Sequence, residues 1–100
     1  ALFRELPGGL IENVYSVKIL NKDAASHEFS ITADGLPGLQ VDYGTDVVEV
    51  GPGDVHTIAV RFRVPRGELK GGADVQFTIR TQDERALEAT GKARFLAPTN

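Results

Sequence analysis

The sequence predicts an all-β domain in which two sheets face each other across one core. Apolar residues recur at every second position along most of the chain, the spacing of a strand with one buried face. Clusters of Gly, Pro, Asn and Asp break these stretches at short intervals, which is the turn chemistry of a sandwich or barrel. A length of 100 residues allows one domain. Surface scaling takes such a chain from about 15,700 Å² unfolded to about 5,500 Å² folded, enough for one modest core.

Each strand can be justified in turn. The first covers Ile11 to Leu20, with Ile11, Tyr15, Val17 and Ile19 on one face and Glu12, Ser16 and Lys18 on the other. The second covers Ala25 to Ala33. Phe29, Ile31 and Ala33 point inward, while Ser26, Glu28, Ser30 and Thr32 point outward. Asp34-Gly35 and Pro37-Gly38 then mark a turn, because Gly accepts positive φ and Pro presets its own. Leu39, Val41 and Tyr43 make a short third strand, and Val48 and Val50 a fourth that Gly51-Pro52-Gly53 ends.

The fifth strand places Ile58, Val60, Phe62 and Val64 inward and Arg61 and Arg63 outward, and stops at Pro65, which lacks a ladder donor. After a loop from Gly67 to Gly72, the sixth directs Val75, Phe77 and Ile79 inward. A polar turn from Gln82 to Arg85 leads to the seventh, with Leu87, Ala89, Ala93 and Phe95 inward. Asp83 to Ala89 is the one stretch that could turn helical, and it is too short to alter the class. About seven strands in this length match an immunoglobulin-like β-sandwich, near fibronectin III in style. A small barrel is the competitor. Paired cysteines, a core Trp and a tyrosine corner, the hallmarks of antibody domains, are missing.

Composition excludes several function classes. The net charge of −3 opposes a nucleic-acid partner, since such domains carry a basic balance or stripe. No apolar run approaches the ~20 residues of a membrane helix, and no signal peptide is evident. The chain has no Cys and no Met. Disulfides, iron–sulfur clusters and thiol nucleophiles therefore need residues from elsewhere. The lack of Met, an initiator included, points to a piece of a longer protein.

Candidate chemistry is sparse. Ser16, Ser26 and Ser30 all sit on outward faces, and none lies in a G-x-S-x-G elbow. His27 falls at the inward edge of the second strand and His56 at the start of the fifth. Neither has companions at metal-ligand spacing, so both read as rim or half-buried histidines. Asp42, Asp46, Glu49 and Asp54 cluster without the spacing of an EF-hand, and read as solvating acids. Gly71-Gly72 lacks the Lys and Ser/Thr of a phosphate loop. Tyr15, Phe29, Tyr43, Phe62, Phe77 and Phe95 all face inward, so the core claims the aromatic residues that a binding platform would need. No catalytic, cofactor-binding or metal residue is assigned.

One surface has modest content. Arg80, Lys92 and Arg94 share outward parity on neighbouring sixth and seventh strands, close enough for a small basic face toward anionic headgroups or an acidic partner. Balance by Glu88 and Asp74 is the plainer reading.

The opening stretch is the most distinctive. Gly9, Ile11, Glu12, Asn13, Tyr15, Lys18, Asn21 and Lys22 match a pattern Gly-x-Ile-Glu-Asn-x-Tyr-x-x-Lys-x-x-Asn-Lys. It resembles the C-terminal immunoglobulin-like domain of the FixG (CcoG) family. Gly35-Leu36-Pro37-Gly38 and Val50-Gly51-Pro52-Gly53 are similar too, so the resemblance spans essentially the whole chain. The motif residues have structural readings. Asn13 falls on an inward, otherwise apolar face, where its amide must be hydrogen-bonded and is expected to pin the incoming lead. Tyr15 adds core area with a hydroxyl that reaches the rim. Asn21 ends the first strand in a turn that Asn tolerates.

The resemblance implies a division into residues 1–9, a lead from a membrane-anchored parent, and residues 10–100, the sandwich. It implies a parent that is a membrane-bound, ferredoxin-like iron–sulfur protein linked to copper handling and cbb3-type cytochrome c oxidase assembly. The cluster cysteines would lie upstream, with no cofactor in this domain. The domain itself would be a non-catalytic accessory module on the periplasmic face of the bacterial inner membrane. Its partners would be oxidase subunits or a periplasmic copper carrier, with the membrane reached through the parent. Two other readings stand beside this one: a stand-alone structural or adhesion-type sandwich, and a copper-binding delivery domain. The second is disfavoured by the missing soft ligands.

Overall fold

The computed structural model describes residues 3–69, 71–81 and 88–97. Eight strands run through them: β1 (Phe3–Leu6), β2 (Leu10–Leu20), β3 (His27–Asp34), β4 (Gln40–Asp42), β5 (Val48–Val50), β6 (Val55–Pro65), β7 (Ala73–Thr81) and β8 (Glu88–Phe95). They form two four-stranded antiparallel sheets, ordered β1-β2-β6-β4 and β5-β3-β7-β8. This is the β-sandwich expected from the period-two pattern. The stretch from Gln82 to Leu87 lies outside the described residues, and with it the expected polar turn and the inward placement of Leu87.

The core sits where parity placed it. Ile11, Ile19, Phe29, Ile31, Val48, Val50, Val60, Phe62, Val64, Val75 and Phe95 are buried. Tyr15, Val17, Tyr43, Phe77, Ile79 and Ala93 pack against them partly exposed. Ala89 is exposed rather than core, because it lies near the end of an edge strand and flanks the open side of the sandwich. Pro65 is the last residue of β6 and opens a 3-10 turn, Arg66–Glu68, within the expected loop.

The added strand is β1. The lead turns back through Pro7-Gly8-Gly9, with Gly8 and Gly9 at φ +88° and +78°, and pairs Phe3–Leu6 with Asn13–Leu10. A three-residue Gly-containing turn between two extended runs is a hairpin signal in its own right. At the opposite end of β3, the chain leaves over the start of β7. There Gly35 has φ +122°, and a Cβ would stand 2.7 Å from the Asp74 carbonyl oxygen. Both the backbone angle and the close approach demand glycine.

Between β3 and β6 the chain changes sheet at every strand, which leaves ends to be tied. Asn21 ties three of them. Its side-chain amide donates to the carbonyls of Ala25 (2.8 Å) and Val50 (3.0 Å), and its Oδ1 accepts from Asp23 N–H (2.9 Å). Its backbone bonds to Asp54 and Gly53. Tyr43 fills a related gap. β5 covers β3 only as far as Phe29, and the Ile31 N–H just beyond donates to the Tyr43 hydroxyl (3.1 Å).

Candidate functional site: the inter-sheet latch and the faces beside it

The motif residues of β2 lie on both faces of the first sheet. On the inner face Asn13 is 1% exposed. Its Nδ2 donates to the Leu96 carbonyl (2.9 Å), and Leu96 N–H donates back to its Oδ1 (2.8 Å). The side-chain amide thus copies the paired bonds of an antiparallel strand. The Tyr15 hydroxyl adds to the latch through Asn13 Oδ1 (3.2 Å) and the Arg94 carbonyl. Burial pushes the Tyr15 phenol above its ordinary pKa. The partner corrects the expectation for Asn13. It pins the chain's exit from β8, not the incoming lead. The reason is geometric: an inward side chain faces the opposing sheet, while β1 lies in its own sheet and is held by backbone bonds.

On the outer face Glu12 is buried too, at 1% exposed, against its expected solvation. The register aligns Arg4, Glu12 and Arg63 on adjacent strands. Arg4 donates to one carboxylate oxygen (2.8 Å) and Arg63 to the other (2.9 Å), and Arg63 also reaches Asp42 (3.2 Å). Burial alone would raise the Glu12 pKa. The hydrogen bonds from Arg63 and Arg4 outweigh it and hold the carboxyl below its ordinary value. Asp42 is also held low, first by the Gly44 N–H and then by Arg63. Glu12 escaped the sequence reading because burial came from its cross-strand neighbours. Arg4, at matching parity in a hairpin arm, was the available signal.

Arg80, Lys92 and Arg94 lie exposed on the outer face of the second sheet, on neighbouring strands. The register sets Arg80 opposite Glu88, Lys92 opposite Gln76 and Arg94 opposite Asp74. Arg80 bonds to Glu88 (2.8 Å) and Arg94 to Asp74 (3.3 Å). The two arginines are therefore matched by acids on this face, while Lys92 carries no ion pair among the described residues. His27 is buried and bonded through Nε2 to Asp23 (2.7 Å); His56 is exposed on β6.

A family model described as "IG-like fold at C-terminal of FixG, putative oxidoreductase" matches residues 1–98. The chain belongs to this FixG C-terminal family. Its Gly-x-Ile-Glu-Asn-x-Tyr motif is thus the Glu12 network and the Asn13–Tyr15 latch seen from the sequence side. Among solved structures, the crystal structure of a FixG-related protein from Vibrio parahaemolyticus shares the fold. Its TM-score is 0.78 at 24% identity, over 88% of this chain and 80% of that one. A protein from Archaeoglobus fulgidus gives a TM-score of 0.49 at 15% identity, over 97% and 93% of the two chains. No curated protein sequence matches.

Among the described residues every buried side-chain nitrogen and oxygen has a hydrogen-bond partner. Asn13, Glu12 and Asn21 are spent on holding sheets and turns together.

Proposed function

We propose that this domain is the non-catalytic, periplasmic interaction module of a membrane-bound iron–sulfur protein of the FixG type. It serves copper handling and assembly of cbb3-type cytochrome c oxidase by docking an oxidase subunit or a periplasmic copper carrier. The family match over residues 1–98 carries this reading. The composition agrees with it: without Cys the chain supplies no thiolate for a cluster, and without Met or Cys no soft ligand for Cu(I). Redox chemistry then belongs to the parent's upstream part.

The test is a bacterium whose parent gene lacks this domain but keeps everything before it. Oxidase activity and the amount of assembled cbb3 complex on native gels should fall, while the cluster spectrum of the truncated parent stays unchanged. Normal oxidase assembly would overturn the proposal. Tight, stoichiometric copper binding by the isolated chain would replace it with a delivery role.

A further inference from the structure

β2 is paired along its whole length by β6 on one side. On the other side β1 covers only Leu10–Asn13. From Val14 to Leu20 no described strand pairs with that edge, a run of roughly 23 Å at the usual strand rise. Beneath it, among the described residues, the sandwich is open. Past the Asn13–Leu96 and Tyr15–Arg94 latch, a cleft of about 340 Å³ separates the edges of β2 and β8. Its apolar lining includes Tyr15, Val17, Phe77, Ile79 and Ala93. These side chains have inward parity, yet all remain partly exposed. A second stretch of about 280 Å³ shares Lys18 and Ile79 with the first and continues toward Asn21.

The charges along this groove are unbalanced. Lys18, Lys22 and Lys92 line it and make no ion pair among the described residues. Its acids are engaged: Glu88 holds Arg80, and Asp23 holds His27. The surplus is positive in a chain whose net charge is −3.

We infer that this groove takes an extended partner strand with apolar residues at alternate positions and carboxylates between them. Building on the reading that the domain works by protein contact, it names the surface and the chemistry of the partner. The strand adds to the open edge of β2 on the same side as β1. Every second side chain turns into the cleft and covers Val17, Phe77 and Ile79. The others turn outward beside Ser16 and Lys18, where a cross-strand carboxylate meets the lysine. Lys92 supplies the charge on the other lip.

The probe is a capped synthetic heptapeptide of alternating valine and glutamate, titrated into the 100-residue chain. Binding is read by anisotropy and by amide shifts in nitrogen-15 spectra. Saturable binding is expected, with the largest shifts from Val14 to Leu20. Two controls should fail to bind: a valine–lysine heptapeptide, and a valine–glutamate one N-methylated at alternate residues along one edge. The double variant Lys18→Glu, Lys92→Glu, checked for folding by circular dichroism, should bind roughly tenfold more weakly.

Equal binding of the N-methylated peptide, or shifts centred elsewhere, would overturn the assignment. So would self-association through β2 without peptide, or protection of these amides by the parent's own chain. If the double variant still supports oxidase assembly in the cell, the groove is refuted while the interaction role stands. If deletion of the domain has no effect, the broader reading fails by itself.

Discussion

Asn13 does at residue scale what a strand does at element scale. Its amide occupies both hydrogen-bonding positions of Leu96. Replacing it by alanine leaves those part-buried backbone groups without this partner, at a cost of about 1 kcal/mol. Asn13→Ala should therefore lower the melting temperature measurably. Asn13→Asp should also destabilise, because a carboxylate can accept from Leu96 N–H but sets its charge against the Leu96 carbonyl. An unchanged melt for either variant would remove the latch from the account. Glu12 gives a second prediction at this scale. Its folded pKa is depressed from the ordinary 4.5, so the stability it contributes is full above that value and lost as pH falls through the lower folded one. Asp42 acts in the same direction. Urea midpoints of the native chain should fall as the solution is acidified below about pH 4.5. Glu12→Gln should be less stable at neutral pH and should lose less on acidification. Parallel pH curves for the two proteins would contradict the network's role.

At the scale of elements, the turns and edges decide what substitution is tolerated. Gly35 and Gly44 both have positive φ, but only Gly35 has no room, with Asp74 O at 2.7 Å from a built Cβ against nothing within 4 Å at Gly44. Gly44→Ala should cost about 1 kcal/mol for the left-handed backbone alone. Gly35→Ala should cost clearly more, since β3 and β7 must separate at their Asp34–Gln76 pair. Chemical denaturation of the two variants side by side checks the order. β1 is the other case. Removing residues 1–6 deletes Arg4 and lays bare the β2 edge from Leu10 to Leu20. The truncated chain should be less stable and should associate at concentrations where the full chain does not, because an open strand edge invites pairing. Sedimentation of the two forms would show it.

The whole molecule is elongated, 49 × 20 × 18 Å with a radius of gyration of 14.7 Å, against about 13 Å for a compact chain of this length. Its surface of 6212 Å² exceeds the scaling expectation accordingly. The shape follows from two strands of 11 residues, β2 and β6, lying side by side. They join residues 10–20 to residues 55–65, so the central pairing of the first sheet is a distant one. Stopped-flow refolding should accordingly fall in the millisecond-to-second range of sandwiches rather than in microseconds. A microsecond phase carrying the full amplitude would mean that local hairpins, not this pairing, limit folding.

The strands from β2 to β8, and nearly all of the inward faces among the described residues, are legible in the sequence. Alternation is a property of the pleat, carried locally by each strand whatever it pairs with. The same holds for the absence of thiol chemistry, which composition settles. Tertiary structure decided everything that depends on register. Glu12 reads as solvated until Arg4 and Arg63 are placed on either side of it. Asn13 reads as a lead-holding amide until the second sheet brings Leu96 to it. Balance of Arg80 and Arg94 by Glu88 and Asp74 is already the plainer reading of the sequence, but which acid meets which arginine follows only from the register. Strand partners such as Glu12 and Arg63, or Phe29 and Thr81, lie about fifty residues apart in the chain. Their register is fixed by the summed fit of both faces, which no local pattern encodes.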